Sequence, residues 1–206
     1  MIGEWIRNRT TGVVTAMARV VVRLGVPANA VTVLGLVLSG LSAYLIAGGM
    51  HVAAGLVLLA AGLLDGLDGS VARLSGAQSA FGAFWDSIID RFSESVTLLG
   101  VLLFYLDEDV QSGVILSFIA VVSSLLVSYT RARAEGLGIY FRGGMLTRLE
   151  RVVLLIAGLL VGQLLFVMWA LAILSTITVL QRIYLTWSAL QQVQPQAQHN
   201  NSAAES

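Results

Sequence analysis

Apolar residues follow one another along most of this chain in long stretches, and short polar links separate the stretches. Each stretch has about the length that a helix needs to cross a bilayer, roughly 20 residues. The pattern predicts six membrane-spanning helices, at residues 31–49, 51–68, 83–105, 112–133, 149–166 and 168–189. Little of the chain remains outside these spans. We therefore predict an all-α integral membrane protein in which residues 27–190 form a single transmembrane domain.

The first 26 residues follow a different pattern, because apolar and polar side chains share the helical period on opposite faces. The apolar face consists of Ile2, Trp5, Ile6, Val13, Met17, Val20 and Leu24, and the polar face of Glu4, Asn8, Thr15, Arg19 and Arg23. A helix of this kind lies along the membrane surface. We predict an interfacial amphipathic helix at residues 1–26, and not a cleaved signal peptide, because arginines occur throughout the segment.

Composition agrees with a membrane protein. Hydrophobic residues make up 57% of the chain and charged residues 12%, whereas about a quarter of a soluble domain is charged. Cysteine is absent, which excludes disulfides and thiolate metal sites. The last segment, residues 191–206, is polar and poor in apolar side chains, and we predict that it is a disordered tail.

The basic residues indicate the orientation in the membrane. They are all arginines, and they occur in the N-terminal helix, at residues 65–91 and 131–151, and at Arg182. The other links between spans contain none. Because arginine-rich links stay on the cytoplasmic side, we expect a multi-pass protein of the cell membrane with both termini and the 65–91 region facing the cytoplasm.

Four aspartates interrupt the apolar pattern where the second span ends and the third begins. Asp65 and Asp68 are three residues apart, and Asp86 and Asp90 are four apart, so each pair shares a helix face. Two such faces across a short link would bring four carboxylates into one pocket, where they cannot all stay ionised without cations. Because oxygen ligands select hard ions, the sequence predicts a site for Mg²⁺, Mn²⁺ or Ca²⁺.

Small residues and an arginine accompany these acids. Gly66, Gly69 and Gly82 would let a bulky anionic ligand approach the carboxylates, and Arg73 could bind its phosphate oxygens. One intramembrane acid could equally be a structural partner of an arginine, but four at helical spacing indicate a function. A divalent-cation transporter is an alternative, although such sites lie near the midplane between repeated halves, and no repeat is visible here.

The stretch from residue 65 to residue 90 reads Asp65-x2-Asp68-Gly69-x2-Ala72-Arg73-x8-Gly82-x3-Asp86-x3-Asp90. It resembles, without departure, the signature of the CDP-alcohol phosphotransferases. The segment VPANAVTVLGL at 26–36 is similar to that family's Pro-x-x-x-x-Thr-x-x-Gly motif at the start of the first span. The resemblance implies a six-span, homodimeric enzyme that transfers a phosphate-linked lipid from a CDP-activated donor to an acceptor hydroxyl and releases CMP.

The same resemblance implies roles for individual residues. Asp65, Asp68 and Asp86 would ligate two Mg²⁺ ions, or Mn²⁺ in their place, that bind the donor diphosphate. Asp90 would be the general base on the acceptor hydroxyl and is a fourth candidate metal ligand. The residues implied for binding the CDP-lipid are Asn29, Thr32, Gly69, Arg73, Ser79 and Gly82.

The acceptor is indicated by two further segments. WDSIIDRFSES at 85–95 lacks the Asp-Pro-x-Ala-Asp-Lys of phosphatidylglycerophosphate synthases, and 128–151 is similar to the Arg-Ala-Arg-Ala-Glu and Arg-x-x-Glu-Arg elements of phosphatidylinositol phosphate synthases. This branch implies CDP-diacylglycerol as donor and inositol 1-phosphate as acceptor. The acceptor phosphate would bind Arg131, Arg133, Arg148, Arg151 and Arg182. Some relatives have a lysine in this region and this chain has none, so glycerol 3-phosphate stays an alternative, and topology anchoring is another role for these arginines.

Three glutamates have expected structural roles. Glu94 continues the face of Asp90, and we predict that it pairs with Arg91 or with an arginine of a neighbouring helix and does not ligate metal. Glu135 and Glu150 are expected to pair with the arginines near them.

Overall fold

The computed structural model describes residues 15–140 and 146–204, with side chains as far as Gln191. Within these residues the protein is all-α, with seven helices and no strand. The helices are α1 (residues 15–23), α2 (Ala28–Ala47), α3 (His51–Leu74), α4 (Ala80–Asp107), α5 (Gln111–Glu135), α6 (Arg148–Val161) and α7 (Leu164–Ala204).

Helices α2 to α7 occur in the order of the six predicted spans, but not all have the character of a span. Four are long and apolar enough to cross a membrane: α2, α3, α5 and the Leu164–Gln191 part of α7. Helix α4 is 28 residues long and carries several charged side chains in its first half. Helix α6 has only 14 residues. The structure is therefore consistent with an all-α membrane protein, and four of the six predicted spans correspond to helices that are long and apolar enough to cross a bilayer.

The ends of α6 and α7 differ from those that the sequence predicts. The break between the last two predicted spans falls not at 166–168 but at Gly162, whose φ of 73° ends α6 in the left-handed conformation that glycine favours. The backbone of α7 is helical as far as Ala204, although the polar composition of 191–206 predicts disorder. Glutamine and alanine, frequent in this tail, are good helix formers. Of the predicted interfacial helix, residues 1–14 lie outside the described residues.

The helices close into a ring. Helix α2 packs on α3 and α4, α4 packs on α5, α5 on α7, α7 on α6, and α6 returns to α3. The contact between α2 and α4 is close at Gly100, where a Cβ atom would lie 2.4 Å from the carbonyl oxygen of Ala43. At one end of the ring, residues such as Ile46, Val101 and Met168 are fully buried in the main apolar core.

The other end of the ring holds the polar residues of the signature. Here a small apolar cluster joins α1 to α2 and α3 through Ala18, Val31, Leu67 and Val71. Helix α4 begins after Ser79, whose side chain accepts a 2.9 Å hydrogen bond from the Gly82 N–H and caps the helix. The cap sets where α4 begins, a short link after the end of α3, and the four aspartates lie on these two segments.

Candidate active site

Three of the four aspartates form one oxygen cluster. One carboxylate oxygen from each of Asp65, Asp68 and Asp86 lies within 4.8 Å of the others. Asp68 is buried, and the other two are partly exposed. Oxygens bound to one Mg²⁺ ion are at most about 4.2 Å apart, and those bound to Ca²⁺ about 5 Å. The three side chains therefore fit a hard divalent cation with little movement.

The orientation of Asp68 is set by two hydrogen bonds. The hydroxyl of Thr32 on α2 donates to Asp68 Oδ2 at 2.9 Å, and the backbone N–H of Gly69 donates to Asp68 Oδ1 at 2.5 Å. Both carboxylate oxygens thus have a fixed partner, one local and one from the neighbouring helix. Such contacts orient a carboxylate before a metal arrives.

The fourth aspartate is held by an arginine from a distant part of the chain. Arg148 Nη1 lies 2.8 Å from Asp90 Oδ2 and 2.8 Å from Asp65 Oδ2, and its Nη2 donates to Asp65 Oδ1 at 3.2 Å. The guanidinium therefore joins α6 to both α3 and α4. The second oxygen of Asp90, Oδ1, is buried and has no hydrogen-bond partner among the described residues. Asp90 thus adjoins the oxygen cluster without belonging to it.

A cavity of about 520 Å³ opens beside Asp68 and Asp86. Its walls come from the start of α2, the end of α3 and the start of α4, and they include all six residues expected to bind the CDP-lipid: Asn29, Thr32, Gly69, Arg73, Ser79 and Gly82. The volume is typical of pockets that hold a small molecule. Gly66, in contrast, faces open space and does not line this cavity.

The five arginines expected to bind the acceptor phosphate have different environments. Arg131 and Arg133 are exposed at the end of α5, and Arg131 pairs with Glu135 at 2.8 Å, as predicted. Arg182 on α7 is 5% exposed; it donates to the Val127 carbonyl, and its Nε has no partner. It lies close enough to Arg131 and Arg151 for their charges to act on it.

Arg151 is held by Glu94. The two side chains face each other in a fork, with Nε–Oε1 at 2.6 Å and Nη2–Oε2 at 2.9 Å, and both are almost fully buried. The prediction that Glu94 pairs with an arginine of a neighbouring helix is confirmed. The carboxylate of Glu150, which is expected to pair with an arginine near it, accepts from the Thr147 backbone N–H in a capping box at the start of α6, and its pairing with an arginine stays a prediction.

A second, narrower cavity of about 50 Å³ lies on the other side of Asp65 and Arg148. Hydroxyl groups from four helices line it together with Glu94 and Arg151: those of Thr32, Ser39, Ser93, Thr97, Ser124 and Ser175. Sequence reasoning missed this feature, because each residue is a single small polar side chain in an apolar helix. The only indication in the sequence was that several of the apolar helices each carry a serine or threonine.

The fold and the site together define a class: a helical membrane protein with an oxygen-rich cation site beside a cavity that could hold a nucleotide. The sequence model for CDP-alcohol phosphatidyltransferase matches residues 26–190. The chain belongs to this family, and it is an enzyme of phospholipid synthesis.

Similar proteins narrow the comparison. The chain is 34% identical over 174 residues to the archaetidylinositol phosphate synthase of Methanothermobacter thermautotrophicus, covering 82% of this chain and 87% of that protein. The crystal structure of phosphatidylinositol phosphate synthase from Mycobacterium tuberculosis with CDP-DAG bound matches with a TM-score of 0.77 at 34% identity, over 84% of this chain and 93% of that one. The same enzyme in complex with manganese and citrate also matches with a TM-score of 0.77, at 34% identity and over 84% and 88% of the two chains.

Proposed function

We propose that this protein transfers the phosphatidyl group of CDP-diacylglycerol to a hydroxyl of inositol 1-phosphate and releases CMP. The position of the carboxylates carries the proposal. Asp68 and Asp86 line the large cavity, whereas Asp65 and Asp90 contact Arg148 on the side of the arginines. The acids therefore lie between a space for an activated donor and a group of cations that suits a phosphorylated acceptor. The inositol phosphate synthases named above are similar along most of the chain.

On the donor side, Asp65, Asp68 and Asp86 would hold two Mg²⁺ ions, and their oxygens suit Mn²⁺ equally well. Bound metal would neutralise the charge that the diphosphate oxygens gain during transfer. The CDP portion would lie in the 520 Å³ cavity against Asn29, Thr32, Gly69, Arg73, Ser79 and Gly82. The guanidinium of Arg73, which is exposed at this wall, can reach phosphate oxygens.

On the acceptor side, Asp90 would take the proton of the attacking hydroxyl. Its unpartnered Oδ1 can accept that proton as the new oxygen–phosphorus bond forms and the bond to CMP breaks. We assign Asp90 as the catalytic residue. Because it shares Arg148 with Asp65, it is also the candidate for a fourth metal ligand.

The acceptor phosphate would bind among the arginines. Within the part of the chain that the structure describes, Arg148 and Arg182 each have a buried Nε without a partner, so both retain a donor for an anionic ligand. The charge of Arg151 adds to theirs from its buried position, and the exposed Arg131 and Arg133 add attraction at the end of α5. Arginine suits this role because its fork donates two hydrogen bonds to one phosphate.

For the membrane arrangement, we propose that α2 to α7 all lie in the bilayer and that α1 lies at its cytoplasmic surface. Met17, Val20 and Leu24 of the α1 region are 46%, 56% and 73% exposed, which suits contact with lipid. Both termini and the active site would face the cytoplasm. The working unit would be a homodimer, with residues 27–190 as the catalytic domain of each copy.

The function can be tested with purified protein, CDP-diacylglycerol and Mg²⁺, by following CMP release with inositol 1-phosphate, free inositol, glycerol 3-phosphate and serine. We expect release with inositol 1-phosphate alone and none after EDTA is added. Release with glycerol 3-phosphate in its place would overturn the acceptor and leave the donor site intact. Metal-independent release would overturn the role of the aspartates.

A further inference from the structure

Two neighbouring ion pairs join α4 to α6. Asp90 and Glu94 are four residues apart on α4, and Arg148 and Arg151 are three apart in the first turn of α6, so each couple shares a face. Asp90 pairs with Arg148 at 2.8 Å, and Glu94 with Arg151 at 2.6 Å. Helix α6 packs on α3 and α7, and it is these side chains that connect its start to α4.

The two ion pairs have different surroundings. The side chains of Asp90 and Arg148 are 18% and 29% exposed, and they adjoin the carboxylate cluster. Those of Glu94 and Arg151 are 8% and 4% exposed. Both oxygens of Glu94 accept from Arg151, and the remaining guanidinium nitrogen, Nη1, donates to the Leu146 carbonyl at 3.4 Å. Every nitrogen of Arg151 therefore has a partner within the protein, and Glu94 is outside the oxygen cluster.

We propose that Glu94 is a positioning residue for the acceptor. By holding Arg151, it fixes the first turn of α6, and with it the position of Arg148 between Asp65 and Asp90. Glu94 touches neither the donor cavity nor the three clustered aspartates. It acts on the reaction through Arg148, which we place beside the acceptor phosphate, and the inference rests on the proposed function in this respect.

The contacts at the start of α6 explain why the Glu94–Arg151 pair is needed. The capping box between Thr147 and Glu150 stabilises the helix start locally, but it does not tie that start to α4. The Glu94–Arg151 fork supplies this tie, and two parallel hydrogen bonds fix direction as well as distance. A displacement of about 1 Å at a reacting group can lower a rate about 100-fold. A shift of α6 relative to α4 would change the distance between Arg148 and Asp90, which is 2.8 Å in the structure.

The test replaces both members of the more deeply buried ion pair, Glu94 and Arg151, with neutral groups of similar shape, in the double variant E94Q/R151Q. This variant leaves no unpaired charge in a buried place, which is the main cost of breaking such a pair. We expect the KM for inositol 1-phosphate to rise about tenfold or more. Because this variant also removes the charge of Arg151, the Glu94→Asp variant, which keeps that charge, separates loss of position from loss of charge. The KM for CDP-diacylglycerol should change by less than about twofold, because neither residue lines the donor cavity. Mn²⁺ affinity, measured by electron paramagnetic resonance without substrate, should change less than the acceptor KM, because Arg148 pairs with Asp65 of the cluster, whereas Asp68 is oriented independently by Thr32 and Gly69.

A control for simple loss of stability is Leu116→Ala, which removes a buried side chain of α5 that lines neither cavity. It should lower the melting temperature without raising the acceptor KM. Should E94Q/R151Q behave like this control, Glu94 is structural only and the inference is wrong. A fall in Mn²⁺ affinity comparable to the rise in acceptor KM would also overturn it, because Glu94 would then act at the metal cluster.

A second variant serves if the double variant does not fold. Glu94→Asp keeps the charge but shortens the side chain, and we expect it to raise the acceptor KM several-fold while the protein folds normally; an unchanged KM contradicts the inference. All KM values are measured with the acceptor that the wild-type protein uses. A different acceptor in that first assay would therefore overturn the choice of inositol 1-phosphate and leave the Glu94 test in place.

Discussion

The hydroxyl of Thr32 donates a 2.9 Å hydrogen bond to the carboxylate of Asp68, which lies 36 residues later on the next helix. The side chains belong to the two separate motifs of the family signature, one at the start of α2 and one at the end of α3. Both residues are buried, with 6% and 5% of their surface exposed. Thr32 therefore has a role besides lining the donor cavity, because it orients a carboxylate of the proposed metal site.

We expect Thr32→Val to weaken the binding of Mn²⁺ to the aspartate cluster about tenfold, since contacts that orient a metal ligand commonly contribute this much or more. Valine has the shape of threonine without the hydroxyl, so the fold should persist. The measurement is a Mn²⁺ titration followed by electron paramagnetic resonance. Thr32→Ser is the matched control and should bind like the wild type. Equal affinity in all three proteins would show that the hydrogen bond is not needed.

We expect Asp90→Asn to lower kcat by a factor of about 10² to 10⁴, the usual contribution of a general base. The amide keeps the shape of the side chain but cannot take a proton. Binding of CDP-diacylglycerol should persist, because Asp90 does not line the donor cavity. CMP release and donor binding are measured separately. Asp107→Asn, at the exposed far end of the same helix, should have wild-type activity. A kcat within threefold of wild type for Asp90→Asn would place the base elsewhere.

We expect Gly82→Leu to raise the KM for CDP-diacylglycerol several-fold, because the new side chain would fill part of the donor cavity. A Cβ atom at this position already lies 3.1 Å from Ser79 Oγ and 4.0 Å from Asn29 Oδ1. The control is Gly66→Leu, since a Cβ at Gly66 meets nothing within 4 Å. Steady-state kinetics with each substrate varied in turn would separate an effect on donor binding from an effect on acceptor binding. An equal rise for the acceptor would argue against a donor-specific cavity.

We expect Gly100→Ala to destabilise the fold by about 1–3 kcal/mol, the usual cost of overpacking. The added methyl group would meet the backbone of Ala43, which can move only if α2 and α4 separate. Gly40→Ala is the control, because this helical glycine has open space where the methyl group would lie. Thermal unfolding in detergent measures both. A melting temperature for Gly100→Ala as high as that of Gly40→Ala would contradict the close packing of the two helices.

Features that depend on local spacing could be predicted from the sequence. The order of the helices follows from the length of the apolar runs, and the convergence of Asp65, Asp68 and Asp86 follows from helical periodicity across a short link. Six residues of the donor cavity could be named because the resemblance to the family covers the two segments that carry them. The helix boundary at Gly162 was missed, because the apolar run continues across it and hydropathy does not register a left-handed glycine.

Contacts between distant helices could not be predicted. Arg148 and Asp65 are 83 residues apart, and Arg151 and Glu94 are 57 apart. Which arginine meets which acid depends on the rotation of α6 about its axis and on its distance from α4, and neither is visible in the residue pattern. The sequence could therefore propose five arginines for one ligand, whereas the structure places Arg151 in a closed pair and Arg131 in an exposed one.

The shortness of α6 has a consequence for the surrounding lipid. Its 14 residues span about 21 Å, whereas the hydrocarbon layer of a bilayer is about 30 Å thick. In the proposed arrangement, this helix is mismatched to the membrane at the end where Arg148 begins it, and the bilayer must thin there or water must reach down to the guanidinium. In that arrangement the thickness of the host membrane would act on the helix that carries Arg148.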